Sequence, residues 1–261
     1  MIHRGVIDGL CVVGPYRVRP PGTDYDLDSL LSEHRRFGID ARLSLHAESR
    51  DGVPAEGNAE MSRLAKAAPG TATIWTALPP RRFEGESAER LLEDAQAAGI
   101  AMLAMFPVTN EHHLAPWANG DLYAAMAEAR LPLVLDAGQA DYTAIQAIAT
   151  AYPRLPIVVW NANYMDERLH VPLLDTCPNV HIGLATIFIP TGGIERYTAR
   201  YGPGRLVFGS NWPAQSPGPL LTYVLYAEVD QDAKAAILGG TISRLAADVA
   251  WPVAGLPEAL P

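Results

Sequence analysis

The sequence has little cysteine and no long hydrophobic run. With only Cys11 and Cys177, it supports neither a disulfide framework nor a cysteine-based zinc site. Its apolar stretches are far shorter than the roughly 20 residues that a membrane-spanning helix needs. The first four residues, Met-Ile-His-Arg, lack the charged, apolar and small segments of a secretory signal. We therefore expect a cytoplasmic protein that makes no membrane contact.

The sequence also lacks any run of basic residues. Its 20 lysines and arginines are outnumbered by 29 aspartates and glutamates, which gives a formal net charge of −9. This balance argues against binding to nucleic acid or to an anionic membrane. The chain is 49% hydrophobic and 19% charged, which is typical of a globular domain and excludes disorder as its main state. The partners that composition and charge leave possible are a small-molecule substrate and further copies of the chain in a homo-oligomer.

What is present is an alternation of short apolar runs with helical patterns. Most of the runs are apolar almost throughout, as in parallel strands that are buried on both faces. Ser87 is suited to begin a helix that Gly99 ends, and segments 121–130, 141–152 and 231–248 have the same helical character. The predicted strands are Val6–Val13, Ala41–His46, Thr73–Leu78, Ala101–Phe106, Leu133–Asp136, Ile157–Asn161, Val180–Ala185 and Leu206–Asn211.

Eight strands that are each followed by a helix, in a chain of 261 residues, predict a (β/α)8 TIM barrel. The whole chain, residues 1–261, then forms a single domain. A doubly wound open sheet is the alternative fold, but no G-x-G-x-x-G motif follows the first strand. Because barrel active sites lie at the carboxyl ends of the strands, residues at these ends are the functional candidates.

Four segments of the chain resemble the amidohydrolase-related family. They are residues 58–79, residues 131–139, FGSNWP at 208–213 and ILGGTISRLA at 237–246, and they follow the family's order along nearly the whole chain. The resemblance implies a TIM barrel that, in most members, is a metal-dependent hydrolase or decarboxylase.

The resemblance also implies where metal ligands belong, and the chain departs from the family at these positions. The family has Asp-x-His-x-His at the end of its first strand. Here Asp8 is kept, but Leu10 and Val12 stand in place of the two histidines. The fifth, sixth and eighth strands have Asp136, Asn161 and Asn211 where the family has two histidines and an aspartate.

These replacements argue against a catalytic metal. Hydrocarbon side chains cannot ligate a metal, and neutral amides are poor zinc ligands. A single carboxylate is also too little for a site that binds Mg²⁺ or Ca²⁺. We therefore expect no catalytic metal and no other cofactor.

Three residues are candidates for proton transfer. Asp136 ends a strongly apolar strand, where a carboxylate either acts as a general acid/base and substrate anchor or ties loop amides together as a structural residue. His46 ends the second strand and His112 follows the fourth, and each of them also has a purely structural interpretation. The candidates for substrate binding are Asn161, Asn211, Gln139, Trp212 and His113.

The alternatives for the binding candidates are mutual hydrogen bonding of the amides and simple packing of Trp212. Because His112 and His113 are adjacent, we expect at most one of them to point into a pocket.

Two functions fit these observations. The first is a metal-independent enzyme that hydrolyses, or otherwise cleaves or rearranges, a small polar metabolite such as a carboxylate, lactone or amide, with Asp136 as acid/base. The second is a catalytically inactive pseudoenzyme that is retained as a binding or scaffold protein. A cavity where Asp136 meets His46 or His112 would favour the first function. A barrel mouth filled by Trp212, Leu10 and Val12 would favour the second.

Overall fold

A computed structural model of the chain describes residues 5–15, 25–185 and 190–256. Within these ranges eight parallel strands follow one another around a single sheet in chain order. This order confirms the predicted (β/α)8 barrel, because a doubly wound sheet would reverse its strand order part-way. The strands are β1 (Ile7–Val13), β2 (Ala41–His46), β3 (Thr71–Thr76), β4 (Met102–Met105), β5 (Leu133–Asp136), β6 (Ile157–Trp160), β7 (Val180–Leu184) and β8 (Leu206–Phe208).

Helices cover the outside of the barrel. Among the described residues, no helix combines the length and the hydropathy needed to cross a membrane. The α-helices are α1 (Leu27–Phe37), α2 (Ala47–Asp51), α3 (Pro54–Ala67), α4 (Ala88–Ala98), α5 (Pro116–Ala129), α6 (Tyr142–Ala151), α7 (Glu167–Thr176), α8 (Gly193–Tyr201), α9 (Pro217–Leu225), α10 (Gln231–Ala235) and α11 (Thr241–Ala247).

Ser87 and Gly99 begin and end a helix as predicted, whereas two other predicted helices have different bounds in the structure. Ser87 accepts a hydrogen bond from the Arg90 amide, and Gly99 ends α4 in the left-handed conformation at φ 63°. Helix α5 begins earlier than predicted because Pro116 occupies its first turn, where a missing amide hydrogen has no cost. The predicted helix 231–248 is interrupted by a π-helical segment at 236–240.

Side chains alternate between the barrel interior and the layer under the helices. Leu43 and Leu45 of β2 lie in one interior cluster with Val134 of β5 and Val158 of β6. Leu135, one position after Val134, belongs instead to the cluster that packs against the helices. This period of two decides which strand-end residues can reach the mouth of the barrel.

The barrel closes where β1 meets the end of β8. The Asn211 amide donates a hydrogen bond to the Leu10 carbonyl at 3.1 Å. A Cβ atom at Gly9 would lie 2.7 Å from the Phe208 carbonyl oxygen, so a side chain here would force the two strands apart. Glycine at this position therefore permits the close approach that closes the barrel.

Asp8 joins this seam to the helix layer through a fully buried network. Its Oδ1 accepts a hydrogen bond from the Ser210 amide at 2.8 Å, and its Oδ2 lies 3.1 Å from His34 Nε2. Arg42 Nε donates to His34 Nδ1 at 3.1 Å. Since Nδ1 accepts, the proton of the neutral imidazole lies on Nε2 and faces Asp8. The charges of Arg42 and Asp8 thus compensate each other through His34.

Replacing Asp8 with asparagine should destabilise the fold strongly. The variant Asp8→Asn removes the buried counter-charge that Asp8 supplies to the guanidinium of Arg42, and the loss of one partner costs about 3–5 kcal/mol in comparable buried pairs. Urea unfolding followed by circular dichroism measures this loss. The matched control is Asp248→Asn, which removes an exposed charge facing Arg244 at 3.9 Å and should change stability by less than about 0.5 kcal/mol. Equal effects of the two variants would contradict this role for Asp8.

The same network predicts how stability depends on pH. Burial by itself raises the pKa of Asp8, but the hydrogen bonds from His34 and Ser210 outweigh it and leave the pKa below its usual value. The stabilisation is therefore complete above the unfolded-state pKa of about 3.9 and is lost as the pH falls through the lower folded-state pKa. In urea titrations from about pH 6 down to about pH 2, the stability difference between wild type and Asp8→Asn should shrink with acidification. A constant difference would argue against this assignment.

Candidate functional site

A cavity of about 310 Å³ opens at the carboxyl ends of β5, β6 and β8. This volume is at the lower end of the range for small-molecule sites, and its position is where barrel enzymes bind their substrates. We call it the rim cavity. Its lining residues are Asp136, Ala137, Gly138, Asn161, Asn163, Asp166, Asn211 and Gln215.

Asp136 reaches the rim cavity because it follows the strand alternation of β5. Val134 lies inside the barrel, so the residue two positions later points to the same side. The Gly138 amide donates to Asp136 Oδ1 at 2.7 Å, and Asn161 Nδ2 donates to Oδ2 at 2.7 Å. Burial raises the pKa of Asp136, although these two hydrogen bonds and the charge of Arg50 act in the opposite direction.

Asn161 and Asn211 both have left-handed backbone conformations, with φ values of 54° and 57°. Asparagine tolerates this region better than most other residues, and here it turns the chain directly after β6 and close to the end of β8. Asn211 Nδ2 donates to Asn161 Oδ1 at 2.8 Å. Together with Asp136 the two amides form a continuous hydrogen-bonded chain across three strands. Asn211 Oδ1 is buried and has no hydrogen-bond partner among the described residues.

His46 ends β2 but is not among the residues that line the rim cavity. Leu45 points inward, so His46 faces the helix layer. Its Nδ1 accepts a hydrogen bond from the Glu48 amide at 3.3 Å and thereby caps α2. Burial lowers the pKa of His46 more than the charges of Glu60 and Glu48 raise it. The structural interpretation of this histidine therefore fits its surroundings.

The two candidate histidines in the loop after β4, His112 and His113, are also not among the residues that line the rim cavity. His112 is half-buried, with its Nδ1 3.5 Å from the His113 carbonyl oxygen, whereas His113 is exposed beside the Trp117 ring. Burial is the main reason why the pKa of His112 is lowered. Gln139 lies in the loop after β5, and its Oε1 accepts a hydrogen bond from the Thr109 amide at 3.0 Å. This bond connects the loop after β5 with the loop after β4.

Trp212 packs outside the barrel instead of forming a pocket floor. It is 7% exposed and lies in an apolar cluster with Cys11, Leu27, Leu30 and other residues under the helices. Simple packing, which was the alternative interpretation of this residue, accounts for its position.

Sequence reasoning missed two polar residues of the rim cavity. Asp166 lies in the loop that follows β6, and Gln215 lies in the loop that follows β8. The same two loops contain the predicted residues Asn161 and Asn211, so closeness in sequence to these asparagines was the signal that could have identified Asp166 and Gln215. Asn163 lines the cavity as well, but its side chain accepts a hydrogen bond from the Met165 amide.

A family model described as amidohydrolase matches residues 19–245. The chain belongs to the amidohydrolase family. A search of curated protein sequences returned no match.

Solved structures resemble this amidohydrolase-family chain over most of its length. A TIM-barrel protein of Bordetella bronchiseptica is 18% identical and has a TM-score of 0.70, with 93% of this chain and 98% of that one covered. A 5-carboxyvanillate decarboxylase of Sphingomonas paucimobilis is 16% identical, with a TM-score of 0.69 and coverage of 92% and 98%. A probable 2-pyrone-4,6-dicarboxylic acid hydrolase of Acinetobacter baumannii is 12% identical, with a TM-score of 0.66 and coverage of 93% and 99%. At these identities the likeness establishes the fold.

The donor set of this amidohydrolase-family chain does not fit the metal that its family resemblance implies. Leu10 and Val12 are 3% and 0% exposed and belong to the apolar interior of the barrel. Asn161 uses its amide nitrogen on Asp136 and its oxygen on Asn211, so neither atom is directed at an ion. At the positions where the resemblance implies metal ligands, one carboxylate and one amide oxygen therefore remain, which is too few ligands for a catalytic zinc or a hard cation.

A second group, Asp8, Cys11 and His34, brings three potential ligand atoms within 4.8 Å of one another. The hydrogen bond from Arg42 to His34 Nδ1 places the proton on Nε2, so no lone pair of His34 faces this group. With Nε2 of His34 protonated, only Asp8 and Cys11 could act as ligands, which is fewer than the three protein ligands of a catalytic zinc site.

Metal analysis should therefore find no stoichiometric ion. Purified protein is expected to contain well under one equivalent of zinc, iron or manganese, and chelators should leave its unfolding midpoint unchanged. Elemental analysis of the wild type and of Cys11→Ser provides the measurement. A full equivalent in both proteins would overturn our interpretation of the rim positions. A full equivalent that is lost in Cys11→Ser would overturn our interpretation of the Asp8 group.

Proposed function

We propose that this chain is a metal-independent enzyme that cleaves or rearranges a small polar metabolite at the rim cavity, with Asp136 as general acid/base. The observation that carries the proposal is the position of Asp136 on the cavity wall at the end of β5. When no metal lowers the pKa of a bound water, a side chain has to transfer the proton.

The surroundings of Asp136 suit this role. Burial raises its pKa, which moves the carboxyl group toward the range in which it can both give and take a proton near neutral pH. The amide hydrogen bonds from Gly138 and Asn161 fix the orientation of the carboxyl group. In this proposal Asn161 and Asn211 position Asp136 and the substrate, since amides donate and accept hydrogen bonds without titrating at ordinary pH.

The names of two solved relatives support a small metabolite as substrate. They describe enzymes that act on 5-carboxyvanillate and on 2-pyrone-4,6-dicarboxylic acid, which are both small polar molecules. The volume of about 310 Å³ admits a ligand of that size.

A pseudoenzyme is the second candidate, and one observation favours it. Leu10 and Val12 fill the barrel interior together with Phe106 and Trp160. The two positions of β1 at which the family resemblance implies metal ligands are therefore apolar. In that case the rim cavity would bind a ligand without converting it.

The variant Asp136→Asn should keep the fold and lose most of the activity. The substitution is nearly isosteric, whereas removing a general acid or base typically costs a factor of about 10² to 10⁴ in rate. The assay is turnover of a panel of lactones, amides and small carboxylates, followed by proton NMR, with circular dichroism to monitor folding. Asp121→Asn is the matched control, because Asp121 is exposed and pairs with Arg82 on the surface.

Full activity of Asp136→Asn on a compound that the wild type converts would refute the acid/base role. If the wild type converts no compound of the panel, the pseudoenzyme replaces the enzyme as the preferred function.

A further inference from the structure

Three large apolar side chains are exposed close together where the loop after β6 leads into α7. Tyr164, Met165 and Leu169 are 50%, 66% and 48% exposed. Tyr164 and Met165 lie in a 3₁₀ turn, and Leu169 lies in the first turn of α7. Since residues three or four apart lie on the same side of a helical segment, Met165 and Leu169 are neighbours. Exposed apolar side chains that form one contiguous group, unlike single ones, mark a contact surface.

Arg168 lies within this group and has no acidic partner among the described residues. The ion pairs in this part of the chain join Arg196 with Glu167 and Arg200 with Asp175. A shallow groove of about 660 Å³ runs along the same side of the helix, lined by Tyr164, Met165, Glu167, Arg168, Val171 and Pro172. We call these six residues, together with Leu169, the α7 face.

Pro172 adds a hydrogen-bond acceptor to the α7 face. Proline has no amide hydrogen, so the carbonyl of Arg168, four residues earlier, lacks the donor that a regular helix provides. The side chain of the same residue has five N–H donors and no acceptor. Arg168 therefore brings both an unpaired cation and a backbone acceptor to one place on the surface.

We propose that two copies of the chain pair through the α7 face, about a two-fold axis that sets the two α7 helices antiparallel. In such an interface the same surface is used by both copies, so residue i contacts residue j and j contacts i. Met165 of one copy then packs on Leu169 of the other, and Arg168 of one copy lies over the Tyr164 ring of the other. Each of these contacts occurs twice, once on either side of the axis.

Charge complementarity favours a second copy as the occupant of this surface. Each copy has a net charge of −9, so two copies approach best through a region where positive charge is in excess. Arg168 supplies that excess, because the charge of Glu167 is matched by Arg196. A guanidinium is attracted to the face of an aromatic ring, and Tyr164 offers such a ring. The cation of each copy thus finds its acceptors on the same surface of the other copy.

The composition of the α7 face agrees with this use, because tyrosine, methionine and arginine are enriched in protein–protein interfaces. Three half-exposed apolar side chains cover only part of the roughly 800 Å² per partner that a tight complex buries. We therefore expect a reversible dimer with a dissociation constant in the micromolar range. Asn163 and Asp166 of the rim cavity belong to the same turn, so the second copy would lie beside that cavity.

Sedimentation velocity of the full chain over a range of micromolar concentrations tests the pairing. We expect the wild type to change from monomer to dimer as its concentration rises. Arg168→Glu should raise the dissociation constant about tenfold or more, because it adds to the negative charge that already separates the copies. Met165→Asp should have a similar effect, because it places a charge in the apolar contact. The matched control is Tyr226→Asp at an aromatic side chain that is 84% exposed outside the α7 face, and it should leave pairing unchanged.

Disulfide cross-linking tests the antiparallel arrangement. Both natural cysteines, Cys11 and Cys177, are buried, so a cysteine introduced on the α7 face is the accessible thiol. Under mild oxidation, a mixture of Met165→Cys and Leu169→Cys should form a mixed disulfide-linked dimer. A mixture of Met165→Cys and Tyr226→Cys is the control and should form much less.

Two sedimentation results would overturn the proposal: a wild type that stays monomeric throughout, or a dimer that Arg168→Glu and Met165→Asp leave intact. A dimer that Tyr226→Asp dissociates as strongly as Met165→Asp would also contradict it, because the interface would then extend to another surface. Equal cross-linking in the two cysteine mixtures would reject the antiparallel pairing of α7.

Discussion

The buried contact between Asp8 and the end of β8 is the constraint on which the geometry of the site depends. Asp8 accepts a hydrogen bond from the Ser210 amide at 2.8 Å, and the next residue, Asn211, is held by the Leu10 carbonyl. These two bonds hold the end of the last strand against the first. A charged side chain is tolerated there because Arg42 supplies the opposite charge through His34. The position of Asn211 in the rim cavity therefore depends on Asp8, His34 and Arg42, which connect β1 to the helix layer.

The chain keeps the barrel of its family but has different residues at the strand ends where the resemblance implies metal ligands. In a metal-dependent member the centre of the mouth carries a cation, which attracts anionic and carbonyl oxygens. Here the centre is hydrocarbon, with Leu10 and Val12 inside, and the polar residues lie to one side at the ends of β5, β6 and β8. The polar residues that remain include two carboxylates.

The part of the site that could be predicted came from residues that end strands. Asp136, Asn161 and Asn211 were all identified in the sequence, and the structure joins them in one hydrogen-bonded chain. His46 also ends a strand, yet it faces the helices. The alternation of Ala41, Leu43 and Leu45 already indicated this orientation, because these apolar side chains occupy the interior and His46 is out of phase with them.

By itself the sequence determined the barrel, the boundaries of most strands and the loss of the family's metal ligands. These features depend on local patterns: apolar runs, capping residues, and the chemistry of single side chains at known positions. Only the tertiary structure decided that Trp212 packs outside the barrel, that Asp166 and Gln215 share a cavity with Asp136, and that His34 connects Asp8 with Arg42. Those outcomes depend on contacts between residues far apart in the chain, and their geometry exists only once the eight strands have closed.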